Sequence, residues 1–214
     1  MEKLVGRYTP LEEVFNATTH GIGILLSIVG LVVLVAFAAI NGSALLVTSC
    51  AIFGATLVFT YTSSTLYHAV FNEKAKQVLR LFDHSSIYLL IAGTYTPIVL
   101  VSLNGVLGWV IFSVIWGTTL LGIILKFAYP RRFKKLSVAL YLIMGWFIIV
   151  AIKELLNNMQ SAGLWLLLAG GLCYTLGVVF YVWKRLPFNH AIWHLFVLAG
   201  SILHYFMVLF YVIP

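Results

Sequence analysis

The chain has 214 residues, 62% of them hydrophobic and only 9% charged, whereas a soluble domain carries roughly 25% charged residues. That leaves too little polar surface to coat a water-soluble globule. The net charge of +7 does not point to nucleic acid, because the basic residues fall between apolar runs, where they bear on membrane orientation instead.

The first eighteen residues are polar and carry Glu2, Lys3, Arg7, Glu12 and Glu13. No basic stretch leads into a short cleavable apolar core, so residues 1–18 are expected as a cytoplasmic segment, with the first span retained in the mature protein. Apolar stretches of about 20 residues then recur, each long enough to cross roughly 30 Å of hydrocarbon as a helix. They predict spans near 19–40, 45–68, 83–102, 106–127, 136–152, 163–183 and 190–212. Runs such as Gly30 to Ile40 are apolar on every face, which argues against a β-barrel. The expected fold is all-α: a polytopic membrane protein whose residues 19–214 form a single domain of seven transmembrane helices. Cys50 and Cys173 fall inside spans and far apart, as two buried thiols rather than a disulfide framework.

The connections alternate in charge. Twelve of the thirteen Lys and Arg residues lie before span one or in the second, fourth and sixth connections, and only Lys153 lies on the opposite side. The positive-inside rule then places the N-terminus in the cytoplasm and the C-terminus outside. Within span three, Pro97 removes a backbone donor, frees the carbonyl of Gly93 and predicts a kink that neighbouring hydroxyls can satisfy.

Five of the six histidines map to the cytoplasmic ends of spans: His20, His68, His84, His190 and His194. Ser64 and His68 are four residues apart, as are His190 and His194, so each pair shares a helical face with its members roughly 6 Å apart. Two faces thus offer three imidazoles to one point, and three nitrogen ligands with an open position is the pattern of a catalytic zinc site. Asp83, at the same level, is the expected carboxylate to orient a water or accept its proton, and Ser64 can hydrogen-bond that water or a substrate carbonyl. A single histidine at this depth is more often an interfacial or capping residue, and convergence is what favours a site. His20 equally suits a capping region, with Thr18 or Thr19 near the helix start. His84 points about 100° away from Asp83 around its helix. His204, about 15 Å deeper than His194, reads as an interhelical hydrogen-bonding group.

Ser64-Thr65-Leu66-Tyr67-His68, Phe82-Asp83-His84-Ser85 running into Ala92-Gly93-Thr94-Tyr95-Thr96-Pro97, and Asn189-His190-Ala191-Ile192-Trp193-His194 occur in order on the expected spans. With Glu13, Asn16 and His20 ahead of them, the chain resembles the bacterial hemolysin III family, related to the progestin and adiponectin receptor (PAQR) superfamily. The resemblance extends from about Glu12 to Tyr211. It implies seven helices with the N-terminus inside and a zinc ion near the inner leaflet, held by His68, His190 and His194. Asp83 would act through water, with Ser64 adjacent. Receptor-branch members are linked to ceramide hydrolysis and the bacterial branch to haemolysis and membrane-fluidity homeostasis. The chain lacks the long N-terminal region of the adiponectin receptors, so hormone signalling does not transfer.

The expected function is a zinc-dependent hydrolase of lipid amides or esters in the bacterial inner membrane. The alternative is a membrane-lytic, pore-forming hemolysin, against which no span carries a polar stripe along its full length. Membrane lipids are the expected partners, with a homo-oligomer as a further option and no nucleic acid.

Overall fold

A computed structural model describes residues 8–130 and 132–213. Glu2, Lys3, Arg7 and Arg131, used above for the N-terminal segment and its orientation, lie outside that range. Among the described residues there is no strand. The helices are α1 (Pro10–Asn41), α2 (Ala44–Ala69), α3 (Glu73–Pro97), α4 (Gly105–Ala128), α5 (Lys134–Trp146), α6 (Ile152–Asn158), α7 (Ser161–Val182) and α8 (Asn189–Tyr211). A π-helical turn, Ile98–Leu103, extends α3, and a 3-10 turn, Phe147–Ala151, joins α5 to α6. Counting α3 with its π turn and α5 with α6 as one span each, seven helical stretches are long and apolar enough to cross a membrane. Their outward faces agree: Leu25, Val29, Val32, Ile124 and Val150 are well exposed, which only hydrocarbon tolerates on this scale.

The helix boundaries depart from the hydropathy reading at two places that matter for the site. Helix α1 begins at Pro10, not near residue 19, because Thr9 caps it: the Thr9 hydroxyl accepts from Glu12 N at 3.2 Å while the Glu12 carboxylate accepts from Thr9 N at 2.8 Å. This reciprocal capping, with proline in the first turn, starts a helix irrespective of polarity. The suggestion that Thr18 or Thr19 caps the helix is therefore corrected. Both lie inside α1, where the Thr19 hydroxyl donates to the Phe15 carbonyl at 2.9 Å. Helix α3 likewise begins at Glu73, capped by Asn72 through Ala75 N at 3.0 Å, ahead of the expected span at 83. Both extensions carry polar turns into the bundle.

Past Pro97 the helix answers the missing N–H by widening into the π turn. The hydroxyls of Thr94 and Thr96 bond to the Leu90 and Ala92 carbonyls, each at 2.8 Å. In span five the Tyr95 hydroxyl enters the helical ladder. It donates to the Gly145 carbonyl at 3.1 Å and accepts from Ile148 N at 2.7 Å, a side-chain insertion of the kind that breaks an α-helix locally. The 3-10 turn sits there.

Glycines allow close packing at two seams that matter for the site. A β-carbon at Gly93 would collide with Thr56 Oγ1, and one at Gly54 would press on Leu31; α1, α2 and α3 thus meet almost backbone to side chain. On α7 the buried residues are Gly163, Gly170 and Gly177, spaced by seven and facing Tyr211, His204, and Phe196 with Trp193 of α8. A seam of small residues sets the register of α8 against α7. His204 Nε2 lies 3.1 Å from the Leu167 carbonyl, the interhelical hydrogen bond expected of it. Both cysteines are free; Cys50 is buried and Cys173 half-buried.

Candidate metal centre

Helix α2 delivers His68 in its last turn, and α8 delivers His190 and His194 in its first two. The chain enters α8 through Phe188, whose φ of 55° lies in the left-handed region. Phe188 N donates to Glu12 Oε1 at 3.0 Å, and Asn189 Nδ2 donates to the Phe180 carbonyl at the end of α7 at 2.9 Å. The start of α8 is thereby tied both to α1 and to its own predecessor.

One potential ligand atom from each of His68, His190 and His194 lies within 4.8 Å of the others, and among the described residues this is the group of His, Cys, Asp or Glu side chains close enough to hold a metal ion. The ring centroids of His68 lie 5.0 Å from His190 and 5.2 Å from His194, and those of His190 and His194 are 4.5 Å apart. All three side chains are buried.

Their partners fit a metal. His194 Nδ1 is 3.1 Å from the Asn16 carbonyl and 3.2 Å from the Thr19 hydroxyl; a carbonyl only accepts, so Nδ1 carries the proton and Nε2 keeps a lone pair. His68 Nδ1 is 2.5 Å from Glu13 Oε2. Buried His68 Nε2 and His190 Nδ1 have no hydrogen-bond partner. Buried imidazole nitrogens normally find one, and two unpartnered nitrogens beside the His194 ring suit a shared cation.

The first helix closes the site from the side. Glu13 and Lys76 form a buried ion pair, Oε1 to Nζ at 2.6 Å. Asn16 is fully buried. The His20 ring stacks on His194 with centroids 3.5 Å apart and an interplanar angle of 12°, and both its nitrogens are buried without partners. Tyr8 stacks over His190 at 5.0 Å. In the sequence analysis Asn16 entered only through the family resemblance, Glu13 otherwise only as a polar N-terminal residue and His20 as a capping-region histidine, and Tyr8 and Lys76 had no role at the site. Their signal was the i, i+3, i+7 spacing of Glu13, Asn16 and His20, one helical face, legible once α1 is known to start at Pro10.

Ser64 is buried one turn before His68, its Oγ without a partner. Asp83 is not in the metal-competent group. Its carboxylate lies 3.4 Å from His84 Nδ1, while that nitrogen donates to the Arg80 carbonyl at 2.8 Å. Asp83 and His84 thus sit side by side. Asp83, His20, His190 and His194 line one cavity of about 780 Å³, which continues past Ile87, Leu90 and Val197 to Trp146, Tyr174 and His204. Its walls come mainly from α3, α5, α7 and α8, with single or paired residues of α1, α2 and α4. The volume falls within the range of small-molecule sites, roughly 300–1,000 Å³, and its lining is mixed, with charged, hydroxyl and imidazole groups among apolar side chains.

Comparison with known proteins agrees with the resemblance. The family described as "Haemolysin-III related" matches residues 8–205. A protein named Hemolysin-3 from Bacillus cereus is 50% identical over 203 residues, 95% of this chain and 93% of its own. A Hemolysin-3 homolog from Bacillus subtilis is 50% identical over 204 residues, 95% and 96% of the two chains. The human monocyte to macrophage differentiation factor is 32% identical over 211 residues, 95% of this chain and 86% of its own. A match over nearly the whole length, together with seven spans and three converging histidines, makes this chain a multi-pass membrane protein of the haemolysin-III related family.

Proposed function

We propose that the chain is a zinc-dependent hydrolase of lipid amides or esters, acting in membrane homeostasis from the inner membrane of a bacterium, with the N-terminus in the cytoplasm. The observation that carries the reading is that two of the three clustered histidines, His190 and His194, line a cavity of about 780 Å³. A purely structural site would be closed.

His68, His190 and His194 are the residues that would hold the metal. Zinc suits three imidazoles, and when bound it supplies Lewis acidity, polarising a carbonyl oxygen and making a water more acidic. Asp83, on the same cavity wall, is the group we assign to take the proton from the attacking water at a carboxylate oxygen. The Ser64 hydroxyl, buried without a partner, donates to the substrate carbonyl. The apolar stretch of cavity wall binds the acyl chain and excludes water.

The chain purified in mild detergent is expected to contain about one zinc and to release fatty acid from lipids extracted from the membranes that contain it. The His190→Ala, His194→Ala double variant should do neither. Zinc retained in full by that variant overturns the site, and zinc-replete protein that releases no fatty acid overturns the hydrolase. The name Hemolysin-3 borne by the two Bacillus relatives favours lysis as the competing reading. Vesicle leakage that survives the double variant would establish lysis in place of the enzyme. Cross-linking in membranes tests the accompanying proposal of a homo-oligomer.

A further inference from the structure

We propose that Glu13, held in place by Lys76, is the residue that positions His68 to bind the metal; the inference rests on the metal reading above and deepens it. The three ligands differ in how their rings are held. His194 is oriented by a backbone carbonyl, that of Asn16, and His190 lies against the Tyr8 ring. His68 alone among them bonds to a carboxylate, with Nδ1 2.5 Å from Glu13 Oε2.

That contact settles two things about His68. A carboxylate accepts, so Nδ1 carries the proton and Nε2 presents its lone pair. The ring is also held in rotation about its side-chain bonds, with Nε2 facing the other histidines' site and buried without a partner. Carboxylate partners of ligating histidines fix tautomer and orientation and raise ligand basicity.

Glu13 is itself built into its place. Its side chain is only 10% exposed, and a lone carboxylate that far from water is costly. The Lys76 side chain is 8% exposed, and its ammonium meets the other oxygen at 2.6 Å. With its second oxygen so engaged, the carboxylate cannot swing away from His68. Lys76 also lies 5.5 Å from the centre of the Tyr67 ring, next to His68 in sequence. The relay Lys76–Glu13–His68 therefore joins α3, α1 and α2 at one ligand.

The competing account is a plain structural ion pair between α1 and α3, and the test separates the two. The Glu13→Gln, Lys76→Met double variant removes both charges at nearly constant volume, so neither is left bare. In the full detergent-solubilised chain, we expect it to keep its helical circular dichroism and to bind Co(II), used as a spectroscopic probe, about 10- to 100-fold more weakly, with a changed visible spectrum. Glu13→Asp, which keeps the carboxylate, should restore part of the affinity. Wild-type affinity and spectrum in the folded double variant would overturn the proposal. A measurement that needs no variant to fold is the ¹⁵N spectrum of the histidines in the metal-free wild-type chain: His68 is expected as the Nδ1–H tautomer, and the Nε2–H tautomer overturns the assignment. Should the wild-type chain bind neither zinc nor Co(II), the metal reading itself falls, an outcome distinct from equal binding by wild type and variant.

Discussion

The two walls around the histidines are built differently. The wall formed by α1, α2 and α3 is locked by buried contacts: Glu13 to His68 and Lys76, Asn16 to His194, and close approaches at Gly54 and Gly93. The wall contributed by α5 is joined to its neighbours by isolated hydrogen bonds. Tyr95 bonds to Gly145 and Ile148, Tyr141 donates to the His84 carbonyl at 2.7 Å, and Trp146 Nε1 donates to Thr175 Oγ1 at 3.0 Å. No atom would meet a β-carbon at Gly145 within 4 Å. The first wall fixes the histidines in place, and the second faces α3 across the cavity. Tight fit around the histidine cluster, and a looser fit along the α5 side of the cavity, is the division this contrast teaches.

The largest test of the contrast is on the locked side. In the His190→Ala, His194→Ala variant, metal analysis should fall from about one ion per chain to background, since a single imidazole does not make a site. On the open side, Gly171→Leu would grow into the cavity near Trp146, whose ring lies 3.6 Å from a β-carbon there. Metal content should stay at the wild-type level while lipid turnover drops about 10- to 100-fold, as expected when a substrate is displaced from its reactive position. Equal losses in both readouts would erase the distinction between the walls. Gly93→Val, back on the locked side, should cost about 1–3 kcal/mol or more by overpacking against Thr56, read as a lower unfolding temperature in detergent. Tyr95→Phe strands the Ile148 N–H and should cost about 1–3 kcal/mol. Smallest of all, Gly145→Ala should shift stability by less than about 0.5 kcal/mol; a loss as large as that of Gly93→Val would show that the α5 wall is as tightly fitted as its counterpart.

The spans and the histidine cluster were legible in the sequence for different reasons. Hydrophobic runs report burial in lipid directly, and His190 and His194 share a face by spacing alone. Helix starts were harder, because averaging hydropathy along the chain hides a polar turn even when its capping chemistry, Thr9-Pro10 with Glu12, is local and visible. The Glu13–Lys76–His68 contact was out of reach by pattern. It links positions 55 and 63 residues apart, and a charged residue ahead of an apolar run is by default a solvated one. Asp83 was legible from its level in the membrane, and the structure sets it on the same cavity as His190 and His194. The 3-10 turn in span five was equally hidden, since it depends on a tyrosine arriving from another helix.

The tie between Glu12 and Phe188 bears on how the protein is made. A chain emerging from the ribosome inserts its N-terminal spans first, so Glu12, Glu13 and Asn16 wait in the membrane while five further spans are synthesised. His68 alone cannot retain a metal, and the other two ligands arrive only with the last helix. Docking of α8 onto the capped start of α1 therefore completes the fold and brings the three histidines together in one event, and a nascent or misassembled chain lacks the cluster.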